Sequence, residues 1–189
     1  MARIRTFIAV DLAKGTKKKV TALQEEFSKK APGVKWVTPD NFHITLLFLG
    51  EVEKREVASV CRTVEKRARK HSSFNLNVEG LGAFPNTRRP KILWAGITDG
   101  ADELKLLHDD IEAGLLELNQ YRREDRGFTP HLTLGRLSAE DRAEDWEPIL
   151  VAHETWLGGT TTINEVIVMS SDMKRDGPEY SIIGRAALK

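Results

Sequence analysis

Hydrophobic and polar positions along the chain switch repeatedly between a two-residue and a helical period. RIRTFIAVDL (3–12) carries an apolar run that fits a strand. In the next segment Val20, Leu23 and Phe27 fall on one helical stripe. Pro39 and Asp40 then lead into FHITLLFLG (42–50), a strand closed by glycine. From 53 to 70 the positions Val57, Val60, Cys61, Val64 and Ala68 return to helical spacing. FNLNVEGLGAF (74–84) alternates as a strand, PNTRRP reads as a basic loop, and KILWAGI (91–97) as the next strand. Leu104, Leu107, Ile111, Leu115 and Leu118 predict a third helix. RGFTPHLTLGRL (126–137) is a strand, ended by Ser138 as cap of a short helix carrying Trp146. The strands TINEVIVMSS and EYSIIGRAAL close the chain, with Asp176-Gly177 between them as a hairpin signal.

Strands outnumber helices, and several neighbours are joined closely enough to be antiparallel. There is no GxGxxG, no GxxxxGK[ST] and no regular βαβ repeat, which argues against dinucleotide-binding and P-loop folds. No linker rich in Gly, Pro or Ser divides the chain, so residues 1–189 are expected to form one compact domain. Strand–helix–strand–helix occurs twice, before about residue 75 and after about residue 90, which predicts two similar lobes in an α+β unit.

Composition narrows the partners. The 189 residues are 40% hydrophobic and 30% charged with a formal net charge of +1, so any nucleic-acid surface must be a local basic patch. The single cysteine, Cys61, excludes an internal disulfide and reads as a buried structural thiol. No segment approaches the ~18 apolar residues of a membrane span, and the first apolar run stops at Asp11 without a signal-peptide pattern. A cytoplasmic protein without a membrane partner is the expectation.

Two strands carry an anomaly. His43-Ile44-Thr45-Leu46 and His131-Leu132-Thr133-Leu134 are both H-x-T-L. Side chains two apart on a strand share a face, so each strand offers an imidazole and a hydroxyl on one face and core-filling residues on the other. If the lobes face each other, the imidazoles converge on one cleft. One neutral and one protonated imidazole suit hydrolysis of a phosphodiester, taking a proton from water and giving one to the departing oxygen. Thr45 and Thr133 can donate to the phosphoryl oxygens. The scheme requires no metal or cofactor, and no H-x-H, HExxH or nearby carboxylate pair supplies further metal ligands. His71, His108 and His153 read as structural.

Paired motifs half a chain apart, with RTFIAVDL, LGAFPNTRRPKILWAGI, FTPHLTLGR and GPEYSIIGRAAL in that order, resemble the two-histidine phosphoesterase superfamily. The details are similar to its RNA 2′,3′-cyclic phosphodiesterase branch, first named as 2′–5′ RNA ligases. The resemblance implies a bilobal α+β fold with pseudo-twofold symmetry, mostly antiparallel sheet, helices outside and a central cleft. It also implies opening of RNA 2′,3′-cyclic phosphate ends to 2′-phosphates, with RNA ends or cyclic nucleotides as the partners. By position, His43 matches the proton donor and His131 the acceptor; spacing alone does not distinguish them. Arg136 suits a phosphate but has the wrong strand parity, and reaches the cleft only if Gly135 breaks the alternation. Phe84 and Tyr180 can stack a base, and Arg88 and Arg89 can contact an RNA backbone. Two alternatives stand beside hydrolysis: reversible 2′–5′ ligation of RNA ends in the same cleft, and a non-catalytic RNA-end-binding module.

Overall fold

A computed structural model describes residues 2–29, 31–118, 121, 127–137, 145–174 and 177–189. The chain runs β1 (Arg3–Asp11), α1 (Lys14–Ser28), β2 (Lys35–Trp36), a 3-10 turn (Pro39–Asn41), β3 (His43–Glu53), α2 (Lys54–Ala68), β4 (Phe74–Phe84), β5 (Ile92–Ile97), α3 (Ala101–Glu117), β6 (His131–Arg136), α4 (Trp146–Ala152), β7 (Leu157–Ile163), β8 (Glu165–Lys174) and β9 (Gly177–Ala187). The expected elements are present, and the two-residue β2 is an addition that no periodicity could announce. Ser138, the expected cap of the fourth helix, lies outside the described residues. That helix is capped by Asp145, whose side chain accepts from the Glu147 N–H. The final hairpin forms as expected, but Lys174 pairs with Gly177. Gly177 is thus the first residue of β9 and not a central turn residue, and Asp176 lies outside the described residues.

One curled, antiparallel sheet holds the strands in the order β7-β4-β5-β6-β3-β1-β8-β9, with β2 added beside β6. The fold is α+β and bilobal. β3, β1, β8 and β9 form one lobe, β6, β5, β4 and β7 the other, and a pseudo-twofold axis passes between β3 and β6. The helices interlock the lobes: α1, which follows β1, packs on β7 of the other lobe, whereas α3, which follows β5, packs on α2 and β3. Arg67 of α2 ties that helix pair together with Asp110 and Glu117, each at 2.8 Å. Because the ion pairs are partly or largely exposed, their contribution is small beside the apolar packing.

The helices cover one face of the sheet, where the main core lies. Ile8, Val10, Ile44, Leu132, Val166 and Val168 enter it from the strands, and Val20, Leu23, Phe27, Val60, Val64, Leu104, Leu107, Ile111 and Leu115 from the helices. Each such side chain contributes roughly 1.5–3 kcal/mol on full burial. Alternation then delivers the intervening strand residues to the opposite, concave face. There a second, smaller cluster of Phe7, Ala9, Ile167 and Met169 lies under Tyr180.

Candidate active site

β3 and β6 meet through one bridge, Ile44 opposite Leu132, at the middle of the sheet. Both residues are fully buried on the helix side. Antiparallel register about that pair brings His43 opposite Thr133 and Thr45 opposite His131, all four half-buried on the concave face. The two imidazoles are therefore diagonal neighbours across the strand pair.

Each ring is oriented in the same way. His43 Nδ1–H donates to the Asn41 carbonyl at 2.8 Å, and His131 Nδ1–H donates to the Thr129 carbonyl at 2.8 Å. The carbonyl lies two residues upstream in both cases, just before the strand begins. This bond fixes the tautomer and leaves Nε2 for chemistry. Among the described residues, neither Nε2 nor either threonine hydroxyl has a protein hydrogen-bond partner.

Aromatic rings wall each imidazole. Phe7 and Tyr180 stand beside His43 at centroid distances of 5.0 and 5.4 Å, Tyr180 nearly perpendicular to it at 82°. Phe84 stands beside His131 at 5.0 Å and 83°, and Trp94 at 6.4 Å. Burial against these rings pushes both imidazoles below their ordinary pKa, since the charged form loses hydration. The carbonyl bonds oppose the shift in each. Nearby charges then act in opposite senses: the Asp11 carboxylate raises His43, whereas the Arg136 guanidinium lowers His131. His131 and Lys17 also lower His43.

Arg136 reaches this face because the alternation is broken. Gly135 pairs with Leu93 and Thr133 with Trp94, so Leu134 is an extra residue in β6, a β-bulge. Leu134 and Gly135 are consecutive buried residues, and Arg136 then falls opposite Ile92 on the concave face. A Cβ on Gly135 would come within 2.7 Å of Val34 Cγ1, so the bulge packs against β2 only with glycine there. β3 is bulged at the matching place: Leu47 pairs with Ile8 and Thr45 with Ala9, which skips Leu46. Phe48 consequently lies opposite Phe7 on the concave face, half exposed.

The structure thus gathers His43, His131, Thr45, Thr133, Arg136, Phe84 and Tyr180 around one cleft. Arg88 is not brought to the imidazoles by any contact; it is largely exposed in the loop after Phe84 and faces Glu147 at 3.7 Å. The remaining histidines lie elsewhere. His71 meets Asp110 at 3.3 Å, His108 stacks on Phe128 at 4.3 Å, and His153 Nδ1–H donates to the Ile149 carbonyl at 2.7 Å. Cys61 is half-buried, with burial raising its thiol pKa, which suits a structural and not a nucleophilic role. Sequence reasoning missed Phe7, Trp94, Asn41, Thr129 and Asp11. Phe7 and Asp11 were recoverable in part, because both share the strand parity opposite to Ile8 and Val10.

Comparison with known proteins places this geometry among relatives. Residues 10–94 match the LigT-like phosphoesterase family. An RNA 2′,3′-cyclic phosphodiesterase of Thermotoga maritima is 30% identical over 187 residues, covering 95% of this chain and 93% of the relative. One of Aquifex aeolicus is 28% identical, covering 97% of this chain and 96% of the relative. The crystal structure of a Thermus thermophilus protein, TT0787, superposes with a TM-score of 0.82 at 26% identity, covering 97% of each chain.

Proposed function

The chain belongs to the RNA 2′,3′-cyclic phosphodiesterases among the LigT-like phosphoesterases, and from that premise we propose that its cleft opens RNA 2′,3′-cyclic phosphate ends to 2′-phosphomonoesters by two-histidine acid–base catalysis. The observation that carries the reading is the pair of identically oriented imidazoles on adjacent strands, each held through Nδ1 with Nε2 left for the substrate.

In this reaction His131 Nε2 takes a proton from water as its oxygen attacks phosphorus. The P–O3′ bond breaks, and His43 Nε2–H gives its proton to O3′. Phosphate stays on O2′, and the two imidazoles end with their protonation states exchanged until solvent resets them. Each proton transfer is typically worth ~10²–10⁴ in rate. Attacking and leaving oxygens lie on opposite sides of phosphorus, which matches rings placed diagonally across one site. Thr45 and Thr133 donate to the non-bridging oxygens, where charge builds up, and Arg136 pairs with them on the His131 side.

Local charge supports the assignment of roles. Asp11 favours the protonated form of His43, as an acid needs. Arg136 disfavours the protonated form of His131, as a base needs. Phe84 and Tyr180 supply faces on which a terminal base stacks.

The test is the product formed from a 2′,3′-cyclic mononucleotide and from an RNA oligomer with a cyclic end. A 2′-phosphate supports the scheme. A 3′-phosphate, or binding without turnover, would overturn it; the latter outcome would favour an RNA-end-binding module.

A further inference from the structure

Gln24 is a polar side chain in the middle of the apolar stripe of α1, only 6% exposed, between Leu23 and Phe27. An interior amide at such a place is costly unless its hydrogens are used. Both are: Nε2 donates to the Leu134 carbonyl at 2.8 Å and to the Val37 carbonyl at 3.0 Å. The Leu134 carbonyl also accepts from the Val37 N–H at 2.9 Å. Leu134 is the extra residue of the β6 bulge, the place where the regular ladder to β5 is interrupted. A bulge interrupts the ladder locally, and a second donor from outside the sheet, added to a carbonyl that already accepts from Val37, can hold its shape. Gln24 does so from the helix layer, bridging the bulge to the strand segment that follows β2.

What the bulge accomplishes is the aim of Arg136. In an unbulged β6, Arg136 would have the parity of Leu132 and point toward the helices; with the bulge it lies opposite Ile92 on the concave face. We propose that Gln24 is a positioning residue for the phosphodiesterase reaction, acting through the Leu134–Gly135 bulge to hold Arg136 on the catalytic face beside His131. The inference rests on the reading of the cleft as a cyclic phosphodiesterase, and on Arg136 as its phosphate-directed cation.

A double-mutant cycle tests it. Gln24→Met keeps the volume and removes both donors. It should lower kcat/KM roughly 10- to 100-fold, in the range expected for a catalytic group displaced by an ångström. In an Arg136→Gln background the same change should cost no more than about twofold, because the group it acts through is gone. A second readout needs no turnover. Arg136 depresses the pKa of His131, so Gln24→Met should raise the His131 titration followed by NMR, toward the value of Arg136→Gln, and leave the double variant unchanged. Equal losses in both backgrounds, or an unshifted His131 titration in Gln24→Met, would overturn the proposal. Should Gln24→Met fail to fold, Gln24→Leu removes the same two donors and is put through the same cycle with the same deciding outcomes. A wild-type protein that turns over no cyclic phosphate would sink the reading of the cleft, while the NMR arm would still decide the role of Gln24.

Discussion

Gly82→Ala offers a direct test of the aromatic wall behind His131. Gly82 pairs with Trp94 across β4 and β5, and the indole lies over it. A Cβ at residue 82 would come 2.2 Å from Trp94 Cζ2, 2.3 Å from Cη2 and 2.7 Å from Cε2. To restore an ordinary 3.4 Å contact the ring must retreat by about 1.2 Å. Phe84, at 5.3 Å from Trp94, and His131, at 6.4 Å, are the rings it meets along the concave face. The displaced indole therefore presses on Phe84 and on His131, the proposed base. Overpacking of this kind costs about 1–3 kcal/mol of stability, or roughly 2–12 °C in Tm for a chain of this length. A misplacement near 1 Å is worth about a hundredfold in rate. Initial rates of 2′,3′-cyclic AMP hydrolysis, taken well below the variant's own Tm, should fall by about that factor. In a Trp94→Ala background the same change should cost little further in Tm, because the ring it would meet is gone. If Gly82→Ala folds and keeps its rate within about threefold of the unmutated protein, the wall does not position His131 and the argument fails.

Other consequences follow from the same geometry. On a substrate whose leaving group needs no proton, His43→Ala should lose much less than His131→Ala; steady-state rates on an activated phosphodiester give the ranking, and the reverse order exchanges the roles. The pH profile of kcat/KM should be a bell, and both variants of the flanking charges should narrow it: Asp11→Asn lowers the His43 pKa and moves the alkaline limb down, whereas Arg136→Gln raises the His131 pKa and moves the acid limb up. Stability should also respond to pH. Both imidazoles are held below their unfolded value of about 6.5, so the fold disfavours their charged forms, and stability is full above that pH and falls as pH drops through it toward the folded values. Thermal unfolding between about pH 7 and 5 should flatten in a His43→Asn/His131→Asn variant; an unchanged slope refutes the burial argument. A chelator should leave the rate unchanged, and activity lost on chelation and restored by a divalent ion would refute acid–base catalysis by the imidazoles alone.

Much of this architecture was legible before any coordinates, and the exceptions share a cause. The alternation His43-Ile44-Thr45 and its copy His131-Leu132-Thr133 determined which side chains face the cleft, because a two-residue period is a local property of the chain. Bulges are local irregularities with a weak signature. Here the trace is an apolar doublet, Leu46-Leu47 in one copy and Leu134-Gly135 in the other, where strict alternation would place a polar residue. Reading past those doublets as regular strand gives Arg136 the wrong face, as parity alone predicted. For Phe7, whose face was readable from parity, and for Trp94, the missing information was the neighbour. They come from β1 and β5, and only cross-strand register places Phe7 beside His43 and Trp94 beside His131. The carbonyls of Asn41 and Thr129 belong to the backbone, so no residue type could announce them. Arg88, singled out by its loop, lies exposed and faces Glu147 at 3.7 Å.

The pseudo-twofold also explains why two copies of one motif need not be interchangeable. The backbone is repeated closely: the same H-x-T strand, the same bulge at the residue after the threonine, the same carbonyl grip on Nδ1. What differs is the decoration at matched positions. After the bulge, β3 presents Phe48 where β6 presents Arg136. In the neighbouring strand, His43 lies opposite Asp11 where His131 lies opposite Gly96. Burial lowers both imidazoles, but the charges beside them differ: Asp11 raises His43 while Lys17, paired with Asp11 at 2.7 Å, lowers it, and Arg136 lowers His131. The proposed reaction needs a proton on His43 and none on His131, and unlike neighbours favour that distribution over its reverse, which identical fields would populate equally. In the proposed mechanism, symmetry would supply the placement on opposite sides of a phosphate, and the departures from symmetry at Asp11 and Arg136 the division of labour.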